Sequence, residues 1–371
     1  MSYDDPLRRQ TPLALKLKES IRRDGPMTVA EFTSQCLWDE ENGYYATRNG
    51  IGASGDFITA AEISQVFGEL IGLWAAVVWK EALGGPGAVH IVEYGPGRGT
   101  MMRDIIRAGR VVPGFREAAR VHLVEMSATL AATQRATLDG LPVPVTWGQN
   151  LVGFDTPAII FANEFLDAWP AEQWVKTASG WRWRGVGLSE TGELCFTTDV
   201  PGTRTRDDLD TQYPHAAHGT IVESQRPELF AEALKTLARK GPVSALIIDY
   251  GYATPSAGDT LQAVRQHKYE SPLTSPGEAD ISAHVSFFEL ASVLHQAGLA
   301  IDGPVTQAEF LGALGIIERT TRLMQANPAR AGEIESGVHR IMAPNGMGGL
   351  FKVIGVRSPE LPVLPGFAVR E

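Results

Sequence analysis

A chain of 371 residues, 44 % of them hydrophobic, can bury the core of one large domain with insertions or of two domains. A formal charge of -10 with no run of basic residues argues against a nucleic-acid partner. Two cysteines, Cys36 and Cys195, exclude a disulfide framework and any C-x-x-C metal or redox motif, so no metal is expected. The longest apolar stretch, Phe67 to Trp79, contains Glu69 and is too short to span a bilayer. Neither a signal-peptide core nor an Arg/Ser-rich transit pattern opens the chain, so a soluble protein in the reducing cytoplasm is expected.

Residues 7–24 place Leu13, Leu15, Leu17 and Ile21 among lysines and arginines, the pattern of an amphipathic helix. Pro26 then breaks the chain, and Thr28 is positioned to cap a helix from Val29 to about Leu37. A polar loop with Tyr44 and Tyr45 follows, and then a glycine-rich stretch over 49–62. It leads into a helix expected from about Ala61 to Leu83. A loop of this type before the first sheet strand can fold over a bound cofactor, with Asp56, Phe57, Thr59 and Glu62 as its contacts. The competing reading makes Thr59 and Glu62 a capping box and the stretch a plain connection.

From Val89 the chain reads strand, sharp turn, helix: Val89, Ile91 and Val92 are apolar, Gly95, Gly97 and Gly99 cluster, and Met101, Met102, Ile105 and Ile106 have helical spacing. This is the opening unit of a doubly wound α/β domain, whose ligands sit beyond the carboxyl ends of the strands. The glycines run G-x-G-x-G with Thr100 next, which fails the G-x-G-x-x-G dinucleotide fingerprint. Glu93 places an anion at the strand tip. It suits a ligand with an amine cation and no phosphate, and S-adenosyl-L-methionine has both properties. The next strand ends at Glu125, about 30 residues on, where a carboxylate can accept bonds from two ribose hydroxyls.

Ala128 to Leu138 is expected to be helical, and Pro144 to Trp147 to be a short third strand followed by Gln149 and Asn150. These two can contact an adenine edge or can serve the turn. A fourth, buried strand over 157–162 runs into Asn163, Glu164 and Asp167, a cluster of polar groups beside the glycine-loop strand. Residues 172–223 alternate strands with turns and form an antiparallel insertion whose Trp174, Trp181 and Trp183 make a packing face. A helix over 227–240 and a fifth strand ending at Asp249 return to the sheet. Residues 260–285 are expected to be a long polar loop in which His267, Tyr269, Asp280 and His284 can contact substrate. A helix over 287–296, a sixth strand near 299–301, helices over 307–324 and 328–341, and a terminal strand over 349–357 running antiparallel complete the chain. The expected division is a helical N-terminal region, 1–84, and an α/β core, 85–371, with insertions at about 168–224 and 256–345.

Several motifs in one order are similar to those of the MidA-like S-adenosyl-L-methionine-dependent methyltransferases. They are Gly43-Tyr-Tyr45, Gly55 to Ser64 with Phe67-Gly68-Glu69, Glu93 to Thr100, Asn163 to Asp167, Asp249-Tyr-Gly251, Asp280 to Val285 and Leu350-Phe-Lys352. Ala61 stands where the family commonly carries Pro, and Ser286 where it commonly carries Asp. The resemblance implies the class I methyltransferase fold, a Rossmann-like seven-stranded sheet in the order 3-2-1-4-5-7-6, with S-adenosyl-L-methionine as cofactor. It also implies methylation of a protein arginine, in mitochondrial members symmetric dimethylation during complex I assembly. Cofactor contacts carry over to Glu93, Gly95, Gly97, Gly99 and Glu125, and to the loop with Asp56, Phe57 and Thr59. Thr100, Gln149, Asn150 and Asn163 are added by position. On this reading Glu164 binds the guanidinium, assisted by Asp167 or Asp249, and His284 accepts the proton. The competing readings are a small-molecule O- or N-methyltransferase and a non-catalytic S-adenosyl-L-methionine-binding assembly factor. No membrane insertion is expected; the insertions over 172–223 and 260–345 suggest a broad protein-binding face, and the subunit count, with a homodimer among the readings, is left open.

Overall fold

The first sheet strand, Val89–Tyr94 (β1), is buried at every position except His90, as a near-continuous apolar run at the centre of a parallel sheet requires. In the computed structural model, which describes residues 7–47, 58–202, 206 and 208–367, six further strands extend it. They are Ala119–Val124 (β2), Val145–Gly148 (β3), Ala158–Asn163 (β4), Val243–Tyr252 (β5), Ala300–Thr306 (β6) and Phe351–Arg357 (β7). Their order is β3-β2-β1-β4-β5-β7-β6, the expected 3-2-1-4-5-7-6. Strands β1 to β5 pair in parallel, and β7 lies antiparallel to both β5 and β6. The parallel arrangement brings the carboxyl ends of five strands to one edge. Pairing continues past those ends: Gly95 N–H donates to Val124 C=O at 3.1 Å, Glu125 N–H to Gly148 C=O at 2.9 Å and Glu164 N–H to Ile248 C=O at 2.8 Å. The residues after each strand are therefore held in register.

Four helices of this unit bear on the site: Ala60–Ile63 (α1), Gln65–Val77 (α2), Thr100–Gly109 (α3) and Ala128–Thr137 (α4). The single helix expected over 61–83 is broken at Ser64, whose backbone is extended (φ -144°, ψ 118°), and it ends in a π turn over Val78–Ala82. No Gly or Pro marks the break. Tertiary packing causes it: α1 is seated against the helix Ala331–Met342, where a Cβ on Gly337 would lie 2.9 Å from the Ile63 carbonyl oxygen. Helix α2 packs Phe67, Ile71 and Trp74 into the core with Ile91 and Phe161. It approaches α3 through Gly68 and Gly72, where an added Cβ would meet the Asp104 Cβ and the Ile105 Cα, each at 2.7 Å. The long helix expected over 307–324 is also divided, into Gln307–Ala313 and Ile316–Ala326, at Gly315 with φ 82°.

Contacts divide the chain into two compact units. Of the described residues, one holds those within Ile58–Phe165, Pro227–Ala253 and from Phe287 on; the other holds those before Ile58 and within Leu166–Arg226 and Thr254–Ser286. Helices α1 and α2 share the core of the sheet, so the unit that holds the sheet starts at Ile58, ahead of the expected boundary at residue 84.

The second unit has helices over Pro12–Asp24 and Val29–Trp38. With them are three small antiparallel sheets, and Leu13, Leu17, Phe32, Leu37 and Ile281 share its core. The segment 260–285, expected to be loop, contributes strands Gln262–Arg265, Lys268–Glu270 and Asp280–Ser282, paired in register. Leu261, Ala263, Leu273, Ala279 and Ile281 are buried in the core of this unit, contacts that the polar composition of the segment hid. Trp174 and Trp181 are buried with Leu209 and Val222, a packing face as expected. Cys36 is buried and Cys195 is half-buried, and both are free thiols.

Thr28 caps the helix Val29–Trp38 as predicted. Its hydroxyl accepts from Glu31 N–H at 3.1 Å while Glu31 Oε2 accepts from Thr28 N–H at 2.7 Å. Thr28→Ala removes one half of this capping box. It should lower the free energy of unfolding by about 1 kcal/mol, measured by urea denaturation.

Candidate active site

The turn after β1 is built from three glycines in the left-handed region: Gly95 (φ 60°), Gly97 (φ 52°) and Gly99 (φ 83°). Gly95 is also close-packed, since a Cβ there would sit 2.8 Å from Phe165 Cδ2. Both conditions exclude other residues, which is why the motif reads so clearly in sequence. Gly99 is the N-cap of α3, so the helix's free N–H groups open at the end of the glycine loop.

Glu93 lies at the end of β1 and is 3 % exposed. Burial pushes its carboxyl up to about 8, and Oε2 has no hydrogen-bond partner among the described residues. An ionised carboxylate in this position needs a cation. The amine of S-adenosyl-L-methionine meets that need, so the donor set at the loop fits this cofactor. Glu125, at the tip of β2, is fixed through both oxygens: Oε1 accepts from Ser127 N–H at 2.7 Å and Oε2 from the Gln134 amide at 2.9 Å. Burial raises its carboxyl pKa against those two bonds and a third from the Met126 main chain. Gln149 and Asn150 are exposed and follow directly on β3.

Thr100 opens α3, and its hydroxyl donates to Glu62 Oε1. The capping-box reading of Thr59 and Glu62 is thereby corrected. Thr59 is the N-cap of α1 but makes no side-chain cap bond: Glu62 N–H donates to Thr59 C=O at 3.0 Å, and the Glu62 carboxylate is directed to Thr100 and lies 4.0 Å from Arg98. Asp56 and Phe57, named with Thr59 as loop contacts, lie outside the described residues.

The end of β4 carries the acid cluster. Glu164 has φ 51°, a left-handed conformation that costs a non-glycine residue of order 1 kcal/mol or more and that recurs at functional sites. Its Oε1 accepts from Ala60 N–H at 2.9 Å and lies 3.4 Å from Asn163 Nδ2, while Asn163 Oδ1 is buried with no hydrogen-bond partner among the described residues. Asp249, expected to assist at the acceptor, is fully buried. Its Oδ2 accepts from Phe165 N–H at 3.1 Å and its Oδ1 from Tyr250 N–H at 2.9 Å. It therefore supports from behind the turn that presents Glu164.

Asp167 and His284 belong to the other compact unit. Asp167 C=O accepts from Ala283 N–H at 3.2 Å, adjacent in sequence to His284. The His284 backbone is held at both ends, its N–H donating to Thr260 Oγ1 at 2.8 Å and its C=O accepting from Gln225 Nε2 at 2.6 Å. Thr260 in turn donates its hydroxyl to buried Glu223, which also accepts from Gln173 Nε2 at 2.6 Å. Sequence reading missed this network and missed Gln134, which is fully buried in α4. Nothing in either local pattern separates a buried polar side chain from a surface one.

A family model for S-adenosyl-L-methionine-dependent methyltransferases matches residues 70–305. Protein arginine methyltransferase NDUFAF7, mitochondrial, of Homo sapiens is 34 % identical over an alignment covering 92 % of this chain and 82 % of that protein. The protein of that name in Rattus norvegicus is 31 % identical, covering 92 % and 83 %. Among solved structures, a protein from Burkholderia thailandensis crystallised with S-adenosyl-homocysteine superposes with a TM-score of 0.83 at 24 % identity, covering 98 % of each chain. That likeness shows the shared fold.

Proposed function

The chain belongs to the S-adenosyl-L-methionine-dependent methyltransferase family, and from that premise we propose that its methyl acceptor is the guanidinium of an arginine in a protein. The names of the human and rat relatives support an arginine acceptor. The observation that carries the proposal is Glu164, a carboxylate held in a left-handed backbone at the end of the strand beside the glycine loop.

Bound S-adenosyl-L-methionine supplies a methyl group made electrophilic by its sulfonium. The protein has to make a nucleophile of a guanidinium that stays protonated at physiological pH. Glu164 can accept hydrogen bonds from two of the guanidinium nitrogens, which localises positive charge on them and leaves the third richer in electrons. The same two bonds orient that third nitrogen. Asp249 and the Ile248 carbonyl bond to the main chain of residues 164 and 165, so the carboxylate is presented on a rigid turn. By the resemblance noted above, the proposed protein substrate is a subunit of a complex I-type respiratory assembly.

Incubation with methyl-labelled S-adenosyl-L-methionine and a peptide library should place label on arginine-containing peptides and leave their lysine counterparts unlabelled. Label on lysine, or only on small molecules, would overturn the arginine assignment. Tight S-adenosyl-homocysteine binding with no transfer to any acceptor would favour the non-catalytic reading.

A further inference from the structure

We infer that Gln134 is a positioning residue of the cofactor site, setting the ribose-binding carboxylate and the glycine loop through one buried amide. The inference rests on the cofactor reading of Glu93, Gly97 and Glu125. It adds to that reading a residue on a helix whose sequence carries no ligand motif.

Gln134 lies in α4 and is fully buried. Its Nε2 donates to Gly97 C=O at 2.8 Å and to Glu125 Oε2 at 2.9 Å, and its Oε1 accepts from Trp147 Nε1–H at 3.0 Å. The orientation of the amide is unambiguous. An indole N–H only donates, and a carboxylate and a main-chain carbonyl only accept, so oxygen must face Trp147 and nitrogen must face the other two. The two N–H groups and the oxygen are thus all engaged. The three partners stand on three different elements: the loop after β1, the residue after β2, and β3. One side chain therefore fixes the spacing of three parts of the cofactor site.

Two consequences for the ligand follow. Glu125 has one oxygen held by Ser127 N–H and the other by Gln134, so both oxygens of the carboxylate proposed to meet the ribose are fixed in direction. Loss of the Gln134 bond frees the carboxylate to rotate and removes one of the donors that favours its ionised form. At Gly97 the captured carbonyl fixes the plane of the 97–98 peptide, and with it the direction of the Arg98 N–H on the opposite side of that plane. Trp147 is held on its ring face as well, with the Arg135 guanidinium 4.1 Å from the ring centroid. The lock at β3 is therefore rigid, and the amide has no alternative arrangement that keeps all three bonds.

The test compares S-adenosyl-homocysteine with its 3′-deoxyribose analogue by calorimetry, using wild type, Gln134→Met, Trp147→Phe and Glu125→Gln. Methionine keeps the volume of the side chain and removes its hydrogen bonds. Gln134→Met is expected to weaken S-adenosyl-homocysteine binding by about 10- to 100-fold, as loss of hydrogen bonds to a charged group implies. It should weaken the deoxy analogue less, moving ligand discrimination toward that of Glu125→Gln. Trp147→Phe, which releases the amide oxygen without emptying the site, should shift both quantities in the same direction by a smaller factor, and it serves as the test if Gln134→Met does not fold. Equal weakening for both ligands would mark Gln134 as a packing residue only and overturn the inference, as would unchanged affinity in a folded variant. Failure of the wild-type protein to bind S-adenosyl-homocysteine would overturn the cofactor reading and the inference with it.

Discussion

Glu164→Gln should lower the rate of methyl transfer to an arginine peptide by roughly 10²- to 10³-fold while leaving the affinity for S-adenosyl-homocysteine within about twofold. The substitution is nearly isosteric, and its amide oxygen can still accept the Ala60 N–H bond that Glu164 Oε1 now accepts, so α1 and the turn keep their places. What is lost is the negative charge. A neutral amide offers one acceptor oxygen and an N–H group that repels the guanidinium, so it cannot bind two guanidinium nitrogens or draw positive charge onto them. Single-turnover kinetics with saturating cofactor separates this effect from binding. Transfer at near wild-type rate would mean that another group activates the acceptor. A parallel loss of S-adenosyl-homocysteine affinity would instead place Glu164 in the cofactor site.

A second large effect is expected at Glu93, and its sign changes with the quantity measured. Burial holds its carboxyl at about 8, far above the ordinary 4.5. Between those two values the native protein retains a proton that the unfolded chain has released, so this group's contribution to stability falls as pH rises through that window. Glu93→Gln cannot ionise and escapes the loss. In the ligand-free state at pH 8 it should be more stable than wild type by on the order of a few kcal/mol, seen as a raised melting temperature. Near pH 5 the two proteins should melt within a few degrees of each other.

Binding runs the other way. A cationic amine is held by the ionised carboxylate, so wild-type affinity for S-adenosyl-homocysteine should strengthen by up to about tenfold per pH unit from pH 6 toward 8. The glutamine variant should bind more weakly with a flat profile. Calorimetry at pH 6, 7 and 8 decides the matter, and a pH-independent wild-type affinity would remove Glu93 from the amine site. A residue that destabilises the empty protein and holds the ligand is the stability–function trade-off expected of a buried charge at a binding site.

Much of this was legible in the linear chain, for identifiable reasons. Central parallel strands are buried on both faces, so they stand out as apolar runs such as Val89–Tyr94 and Ala158–Asn163. The turn after β1 needs left-handed backbone at three positions and has no room for a side chain at Gly95, so glycine spacing announces it. The cap at Thr28 is a local hydrogen-bond pattern and was read correctly. Long-range partners were hidden in the same way that local ones were plain. Thr59 and Glu62 have capping-box spacing, yet Glu62 bonds to Thr100 across a gap of 38 residues. The break at Ser64 arises from packing against a helix near the C-terminus, and the strands within 260–285 bury a few apolar residues, Ala263 and Ile281 among them, scattered through a polar and Pro-interrupted segment.

By itself the sequence determined the sheet, the glycine loop, the acids at the strand tips and, through the resemblance, the cofactor, because each depends on residue type, short-range spacing or motif order. Only the tertiary structure decided which polar side chains are buried and what they meet. It buried Asp249 against the main chain of Phe165 and Tyr250, left one oxygen of Glu93 without a partner among the described residues, and joined Gly97, Glu125 and Trp147 through Gln134. The reason is physical. A hydrogen bond between elements depends on where folding puts two groups, and residues 37 positions apart carry no mutual signal until the chain has brought them together.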